Sequence, residues 1–326
     1  MTPSRWDGLL ETSVVGSFSN IGYRVRSREW AELDGGVAGR TAVITGATSG
    51  LGLETATQLA EHGAMPILVA RNEEKAQSVV AEISRRTGNP DVSYALADLS
   101  SLDQVRRLAD QLLGSFSDIH ILVNNAGVLP NARIESADGI ELTLATNLVG
   151  SFLLTNLLIP RLVASAPARI INISSGGMYT QRIDTNDLQS SRGDFNGTVA
   201  YAKTKRGQVI LTELWGERLA GTGVVVNAMH PGWVNTPGVK DWSPAFQRIM
   251  RPLLRTPLEG ADTIVWLAAS DETETVTGGF WHDRELRPTH RSARTQESTE
   301  ERAELWEALT RLAGWDPPPD WPRPAA

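Results

Sequence analysis

The chain has 326 residues, of which 41% are hydrophobic and 21% charged, as in a soluble globular protein with one large domain or two small ones. Its formal net charge of −7 gives no general basis for binding nucleic acid or an anionic membrane. The absence of cysteine excludes disulfides, thiolate metal sites and a cysteine nucleophile, and it fits a reducing compartment, so we expect a cytoplasmic protein.

The first 38 residues form an N-terminal extension ahead of the regular part of the chain. They lack a basic start followed by a clean apolar stretch, so they do not resemble a signal peptide. We expect an extra element that docks on the domain, because apolar residues recur partly at helical spacing: Trp6, Leu10, Val14, Phe18, Ile21 and Trp30.

From residue 39 to 282 the chain alternates short apolar runs with amphipathic segments such as 76–83 and 102–112. Strands buried on both faces have this composition. We therefore predict an α/β fold: a doubly wound, mostly parallel sheet (a Rossmann fold) of about seven strands. Six strands are predicted at 41–45, 66–70, 92–97, 119–124, 169–174 and 224–230.

No transmembrane segment is expected. The longest apolar run, "SFLLTNLLIPRLVA" at 151–164, is interrupted by Asn156, Pro160 and Arg161 and falls short of the ~20 residues that cross a bilayer.

A glycine-rich turn, "TGATSGLG" at 45–52, connects the first strand to the following helix. Glycines at such a turn allow backbone amides to approach a pyrophosphate at the helix N-terminus. Gly46, Gly50 and Gly52 are each placed where a Cβ would block the turn or the phosphate. In this strand–turn–helix context the motif predicts a dinucleotide site.

Polar motifs follow the later strands and meet at one edge of the predicted sheet, where ligands of open α/β sheets bind. Asp98 ends the third strand, "NNAG" (124–127) the fourth and Ser174–Ser175 the fifth, while "HPGWVNTP" (230–237) follows the sixth. Asn147 lies within an apolar helical run, where a polar side chain needs a partner.

The segment "VAYAKTKRGQ" (199–208) places Tyr201 one helical turn before Lys205, on the same face. An isolated pair of this kind usually lies on the protein surface and has no catalytic role. A nearby cation would also lower the pKa of the phenol, which could then exchange a proton with an alcohol or ketone.

The C-terminal part, residues 283–326, contains "STEERAELWEALTRLAGW", which opens with a capping box from Ser298 to Glu301. Leu305, Leu309 and Leu312 share one face of that helix. After Gly314 the proline-rich end cannot continue a helix, and we expect it to trail over the surface.

Taken together, "TGATSGLG", "NNAG", Asn147, the serine after strand five, Tyr-x-x-x-Lys and "HPGWVNTP" resemble the short-chain dehydrogenase/reductase family over residues 40–282. "SSGGMYTQRIDTNDLQ", "KRGQVILTELW" and "MHPGWVNTPGV" resemble more narrowly the branch of dehydrogenase/reductase SDR family member twelve, a relative of the retinol-dehydrogenase-like enzymes. The N-terminal "SFSNIGYRVRSREW" is also similar to that branch.

The resemblance implies four catalytic residues. Tyr201 would protonate the carbonyl oxygen as hydride arrives, and Lys205 would hold the nicotinamide ribose and keep the tyrosine pKa low. Asn147 would hold a water that links Lys205 to solvent. Ser175 would hydrogen-bond the substrate oxygen, although an insertion before Tyr201 leaves Ser174 as an alternative.

The resemblance also implies which residues bind the dinucleotide. They are Gly46, Thr48, Ser49, Gly50, Leu51, Gly52, Arg71, Asn72, Asp98, Leu99, Asn125, Ala126, Gly127, Tyr201, Lys205, Pro231, Gly232, Val234 and Thr236.

NADP is the predicted cofactor, with NAD possible, because the second strand ends in Ala70 and Arg71 rather than in a carboxylate that would grip the ribose 2′-hydroxyl. The planar guanidinium of Arg71 can pair with a 2′-phosphate. We expect carbonyl reduction as the physiological direction.

The predicted substrate is a lipophilic aldehyde, ketone or alcohol. In the family, the segment after "PGWVNTP" forms the substrate lid. In residues 240–255 it carries an apolar stripe, bent at Pro252, of Trp242, Phe246, Ile249, Met250, Leu253 and Leu254. This stripe could also pack on the core or on a partner subunit, and its basic neighbours allow peripheral membrane contact.

The sequence argues against three alternatives to this function. A nucleotide-binding redox sensor or scaffold with vestigial catalysis would have no need for Tyr201, and sugar-nucleotide epimerases usually space their glycines differently. The five histidines show no paired metal spacing, so no metal site is predicted. A homo-oligomer is possible, because relatives often pair through the helices after strands four and five.

Overall fold

The computed structural model describes residues 6–33, 36–319 and 321–322. Its centre is one sheet in the order β3-β2-β1-β4-β5-β6-β7-β8, parallel except for the antiparallel pair β7 and β8. The strands are β1 (Thr41–Thr45), β2 (Met65–Ala70), β3 (Ser93–Leu96), β4 (Ile121–Asn124), β5 (Ala168–Ile173), β6 (Val224–Met229), β7 (Phe280–His282) and β8 (Glu285–Leu286). The doubly wound fold is confirmed, with the two-residue β8 as an addition.

Helices flank the sheet on both faces. In chain order they are α1 (Asp7–Leu10), α2 (Val14–Phe18), α3 (Asn20–Arg26), α4 (Gly50–Glu61), α5 (Glu73–Thr87), α6 (Leu102–Ser115), α7 (Leu142–Leu144), α8 (Gly150–Ala164), α9 (Gly197–Arg218), α10 (Pro237–Trp242), α11 (Pro244–Met250), α12 (Pro257–Ala269) and α13 (Thr299–Ala313). A π-helical turn, Ala145–Val149, joins α7 to α8.

The two faces of the sheet bury separate apolar cores. Leu108, Phe152 and Leu211 belong to the core beneath α6, α8 and α9, whereas Leu59 and Ile264 belong to the core beneath α4, α5 and α12. Every residue of β1, β4, β5 and β6 is buried. Central strands covered on both faces therefore explain the continuous apolar runs of the sequence.

Helix α8 differs from its prediction in length. Together with α7 and the π turn it forms a 23-residue stretch, Leu142–Ala164, long and apolar enough to cross a membrane. The sequence estimate was too short because it began at Ser151. Almost all of the stretch is buried inside the protein, which is the environment of a core helix.

The N-terminal helices α1–α3 pack against the loop after β6 and the segment before α12. The Phe18 ring lies edge-on to the His230 ring at 4.5 Å, and its carbonyl accepts a hydrogen bond from the amide of Trp233 at 2.8 Å. The amide of Asn20 donates to the carbonyl of Leu253 at 3.0 Å. The N-terminal extension thus packs against the loop that follows β6 and supports it.

The C-terminal helix α13 begins with the predicted capping box, in which Ser298 and Glu301 exchange side-chain and backbone hydrogen bonds. It lies against α8 and α9, the two helices through which pairing was expected. The proline-rich end packs on the protein instead of trailing over its surface. Trp321 is buried against the rings of Trp306 and Trp315, because moving a large apolar ring out of water lowers the free energy.

Candidate active site

A cleft of about 900 Å³ opens along the carboxyl ends of the parallel strands. The sheet order reverses between β1 and β4, so loops diverge at this edge and leave a crevice. The predicted site residues that line it are Gly46, Thr48, Ser49, Gly50, Leu51, Arg71, Asp98, Leu99, Asn125, Ala126, Gly127, Ser175, Tyr201, Lys205, Pro231, Gly232, Val234 and Thr236.

The glycine-rich turn shapes the middle of the cleft. Gly46 and Gly50 adopt positive φ angles of 65° and 55°, which L side chains rarely adopt. A Cβ on Gly52 would lie 2.5 Å from the side-chain nitrogen of Asn125, so this glycine serves close packing and does not line the cleft. Ser49 makes no side-chain cap at the start of α4. The first-turn amides of α4 therefore suit a phosphate.

The other end of the cleft is cationic. Arg71 and Lys75 both line it, and the guanidinium of Arg71 lies 3.7 Å from the Asp98 carboxylate. Lys75, in the first turn of α5, was not predicted as a site residue, although it lies only four positions after Arg71 in the sequence. Asn72 does not line the cleft; its side chain caps α5 by accepting from the amide of Lys75 at 2.8 Å.

The two serines after β5 have different partners. The Ser174 hydroxyl is buried and donates to the carbonyl of Lys205 at 2.8 Å. The Ser175 hydroxyl accepts from the amide of Gly177 at 3.2 Å and interacts with the phenol of Tyr201, whose pKa it lowers. Because only Ser175 reaches the phenol, this geometry favours it over Ser174.

Burial dominates the titration of the tyrosine and the lysine. It raises the pKa of Tyr201 to about 12, against the smaller lowering effect of the Ser175 hydrogen bond. Burial also lowers the pKa of Lys205 to about 7. Desolvation therefore sets the direction of the Tyr201 shift, and the lowering contribution comes from Ser175. That Lys205 keeps the tyrosine pKa low remains a prediction.

The Lys205 ammonium is held by oxygen acceptors. Nζ donates to the carbonyl of Ile173 at 2.7 Å and to the side-chain oxygen of Gln208 at 3.0 Å. Asn147 lies in the π turn, where its side chain exchanges hydrogen bonds with the backbone of Val128 at 2.8 and 3.0 Å. Gln208 was missed in the sequence, although its position three residues after Lys205 puts both on one helical face.

The loop after β6 closes the cleft beside β5. Gly232 has a φ of 76°, and a Cβ there would lie 2.6 Å from the carbonyl oxygen of Phe18. His230 is buried and stacks on His282 at 3.9 Å, so it supports the loop from behind and does not line the cleft.

The proposed lid is divided into α10 and α11, with a break at Ser243, rather than forming one continuous stripe. Trp242 and Leu254 line the cleft, and Trp242 donates to the hydroxyl of Thr198 at 3.1 Å. Ile249 is 75% exposed and does not line the cleft, so it does not share a face with Trp242 and Leu254 as the predicted stripe required. The side chain of Phe246 lies outside the described residues.

The cleft fits an extended dinucleotide. Arg71 follows β2 and Ser175 follows β5, which are three strand spacings apart, or about 14 Å at ~4.8 Å per strand. Between them lies the glycine turn with the uncapped start of α4. The site can therefore hold a phosphate-bearing ligand across the sheet and present one end to Ser175 and Tyr201.

Comparisons with known proteins agree with this geometry. Residues 40–246 match the short chain dehydrogenase family. A Bos taurus protein named Dehydrogenase/reductase SDR family member 12 is 39% identical over 91% of this chain and 94% of the relative, and human Retinol dehydrogenase 12 is 37% identical over 85% and 87%.

Solved structures show the same fold. An uncharacterized protein from Mycobacterium paratuberculosis superposes with a TM-score of 0.71 at 30% identity, over 89% of this chain and 99% of that one. L-Sorbose reductase from Gluconobacter frateurii, solved with NADPH and L-sorbose, has a TM-score of 0.63 at 23% identity, over 76% and 96% of the two chains.

Proposed function

The chain belongs to the short-chain dehydrogenase/reductase family and is an NAD(P)-dependent oxidoreductase, and on this basis we propose that it uses NADP(H) to reduce a lipophilic aldehyde or ketone to the alcohol. The observation that carries the proposal is that Ser175, Tyr201 and the buried Lys205 line one cleft, with Tyr201 and Lys205 one helical turn apart.

The side chains divide the work on the substrate carbonyl. The bound cofactor supplies the hydride. Tyr201 donates its phenolic proton to the substrate oxygen, and a pKa of about 12 keeps that proton in place near neutral pH. Ser175 donates a hydrogen bond to the same oxygen and stabilises the charge that develops on it. Lys205 holds the ribose hydroxyls through the N–H that its protein partners leave for the cleft.

Two cations support the preference for NADP(H). Arg71 and Lys75 line the same end of the cleft, and a 2′-phosphate carries the charge and oxygen acceptors that both side chains bind. Asp98, 3.7 Å from Arg71, is the only acidic side chain lining the cleft among the described residues. A free 2′-hydroxyl would gain less from this site.

Apolar side chains support a lipophilic substrate. The cleft that contains Tyr201 is also lined by Leu129, Pro130, Trp242 and Leu254. Such a lining excludes water and favours apolar ligands. The name of human Retinol dehydrogenase 12 indicates a lipophilic alcohol for that relative, and we extend this class of substrate to the present chain.

The direct test compares wild type with Tyr201→Phe on a chain-length series of aldehydes and ketones with NADPH or NADH. Tyr201→Phe should lower turnover ~10²–10⁴-fold, as expected for loss of a general acid, and leave the NADPH dissociation constant nearly unchanged. Catalytic efficiency should rise with apolar chain length and weaken in Trp242→Ala.

Three outcomes would contradict the proposal. Near-normal turnover by Tyr201→Phe would identify another acid. Equal or tighter binding of NADH than of NADPH by the wild type would overturn the cofactor preference. The Arg71→Ala variant should lose the preference for NADPH. Tight NADPH binding with no turnover on any carbonyl compound would instead favour a redox sensor.

A further inference from the structure

Lys205 is a buried cation whose described partners are all uncharged. Both Lys205 and Gln208 are 2% exposed, and no described acidic side chain forms an ion pair with the ammonium. Its two hydrogen-bond acceptors are the Ile173 carbonyl at 2.7 Å and the Gln208 side-chain oxygen at 3.0 Å. The Tyr201 ring, with its centroid 5.3 Å from Nζ, is the nearby titratable group.

The other end of the Gln208 amide determines its orientation. Its nitrogen donates to the main-chain carbonyl of Asn147 at 2.9 Å. A carbonyl can only accept, so the NH₂ group must face Asn147 and the oxygen must face Lys205. The amide therefore connects the lysine on α9 to the π turn between α7 and α8.

The acceptor count leaves one donor for the cleft. An ammonium has three N–H groups, and two are taken by Ile173 and Gln208. Lys205 itself lines the cleft, where a Cβ built on Gly127 would lie 3.5 Å from Nζ. The third N–H is thus available to a ligand hydroxyl.

We infer that Gln208 is a positioning residue, which fixes the ammonium of Lys205 against the Asn147 carbonyl and stabilises its charged form. This inference rests on the proposed function. A carboxamide donates and accepts through different atoms, so it holds the lysine without relaying a proton as water does.

The test uses two substitutions of similar length with opposite electrostatic effects. Gln208→Met removes the acceptor, so the alkaline limb of the kcat profile should move down by about one pH unit and KM for NADPH should rise. Gln208→Glu places a carboxylate beside the ammonium, and the same limb should move up by ~1 unit or more.

A matched control separates positioning from packing. Asn156 is a buried amide that accepts from the Trp215 indole at 3.0 Å on the neighbouring helices. Asn156→Leu should lower thermal stability and leave the pH profile in place. If both Gln208 variants keep the wild-type limb and KM, the inference is wrong; opposite shifts of the two variants support it.

The same assay separates this inference from the proposed function. Loss of turnover in Tyr201→Phe together with unchanged profiles in the Gln208 variants would overturn the role of Gln208 alone. Full turnover in Tyr201→Phe would overturn the proposed function itself. If Gln208→Met does not fold, Gln208→Glu alone tests the inference, because the alkaline limb of its kcat profile must move to higher pH.

Discussion

The molecule buries cations in two contrasting environments. Among the described residues, the hydrogen-bond acceptors of Lys205, at the cleft, are uncharged oxygens. Arg26, also fully buried, pairs with the carboxylates of Asp7, Glu11 and Asp283 at 2.7–2.9 Å, in a cluster that joins the N-terminal extension to the turn between β7 and β8. Arg255 binds both oxygens of the same Asp283.

The difference between these environments separates chemistry from architecture. Burial lowers the pKa of Lys205 to about 7, so its charge responds to small changes around it. In the cluster the guanidiniums of Arg255 and Arg26 hold the pKa of Asp283 well below its usual value, although burial acts in the opposite direction. An arginine keeps its charge at any working pH. The ion-pair cluster therefore has a structural role and keeps its charges, whereas the protonation state of Lys205 depends on its surroundings.

The largest expected effect comes from breaking the cluster at its shared carboxylate. Asp283→Ala leaves two buried guanidiniums without their common partner, and removal of one partner from a buried pair costs about 3–5 kcal/mol. Urea unfolding at neutral pH measures the loss. A loss below about 1 kcal/mol would show that the remaining carboxylates compensate.

The pH dependence of that loss gives a second check. The folded pKa of Asp283 lies below the unfolded value of 3.8, so its contribution is present above 3.8 and disappears as the pH falls through the folded pKa. The difference between wild type and Asp283→Ala should therefore shrink in acid. A difference that stays constant would point to lost packing instead of charge.

Removing the unpaired cation should have a smaller effect of opposite sign. Lys205 titrates near 7 in the folded chain and near 10.5 when unfolded, so the unfolded state binds more protons between these values and stability rises with pH. Without cofactor, wild type should gain about 2 kcal/mol from pH 7 to 9 relative to Lys205→Met.

Lys205→Met should also unfold no more easily than wild type at neutral pH, because an uncompensated buried charge is itself costly. Its turnover should nevertheless be lost. Parallel stability curves for the two proteins across that pH range would show that the folded lysine keeps an ordinary pKa.

The smallest effect on stability is expected at an exposed ion pair. Such a pair differs from the buried cluster in its exposure to solvent and not in being paired. Arg107 and Asp103 face each other one turn apart on α6 at 2.6 Å, and both side chains are exposed. Arg107→Ala should change the free energy of unfolding by no more than ~0.5 kcal/mol, which chemical denaturation can bound. A larger loss would indicate that pairing alone stabilises this protein.

Much of the fold and the cleft was readable in the sequence, because its signals are local. The strand runs, the glycine turn and the capping box of α13 each depend on residues within a few positions of one another, where backbone sterics and periodicity act directly. The strand-end motifs were placed at one edge because a parallel sheet gathers its carboxyl ends there.

The tertiary structure alone decided which charges are paired and how deeply each is buried. Arg26 and Asp283 are 257 positions apart, and Gln208 meets the Asn147 carbonyl across 61. Periodicity carries no information over such separations. The same holds for Trp321 in its aromatic cluster and for the raised pKa of Tyr201, since desolvation depends on everything that packs around a group. The sequence by itself determined the fold and most of the residues that line the cleft, and the packing of distant segments determined the electrostatics of that cleft.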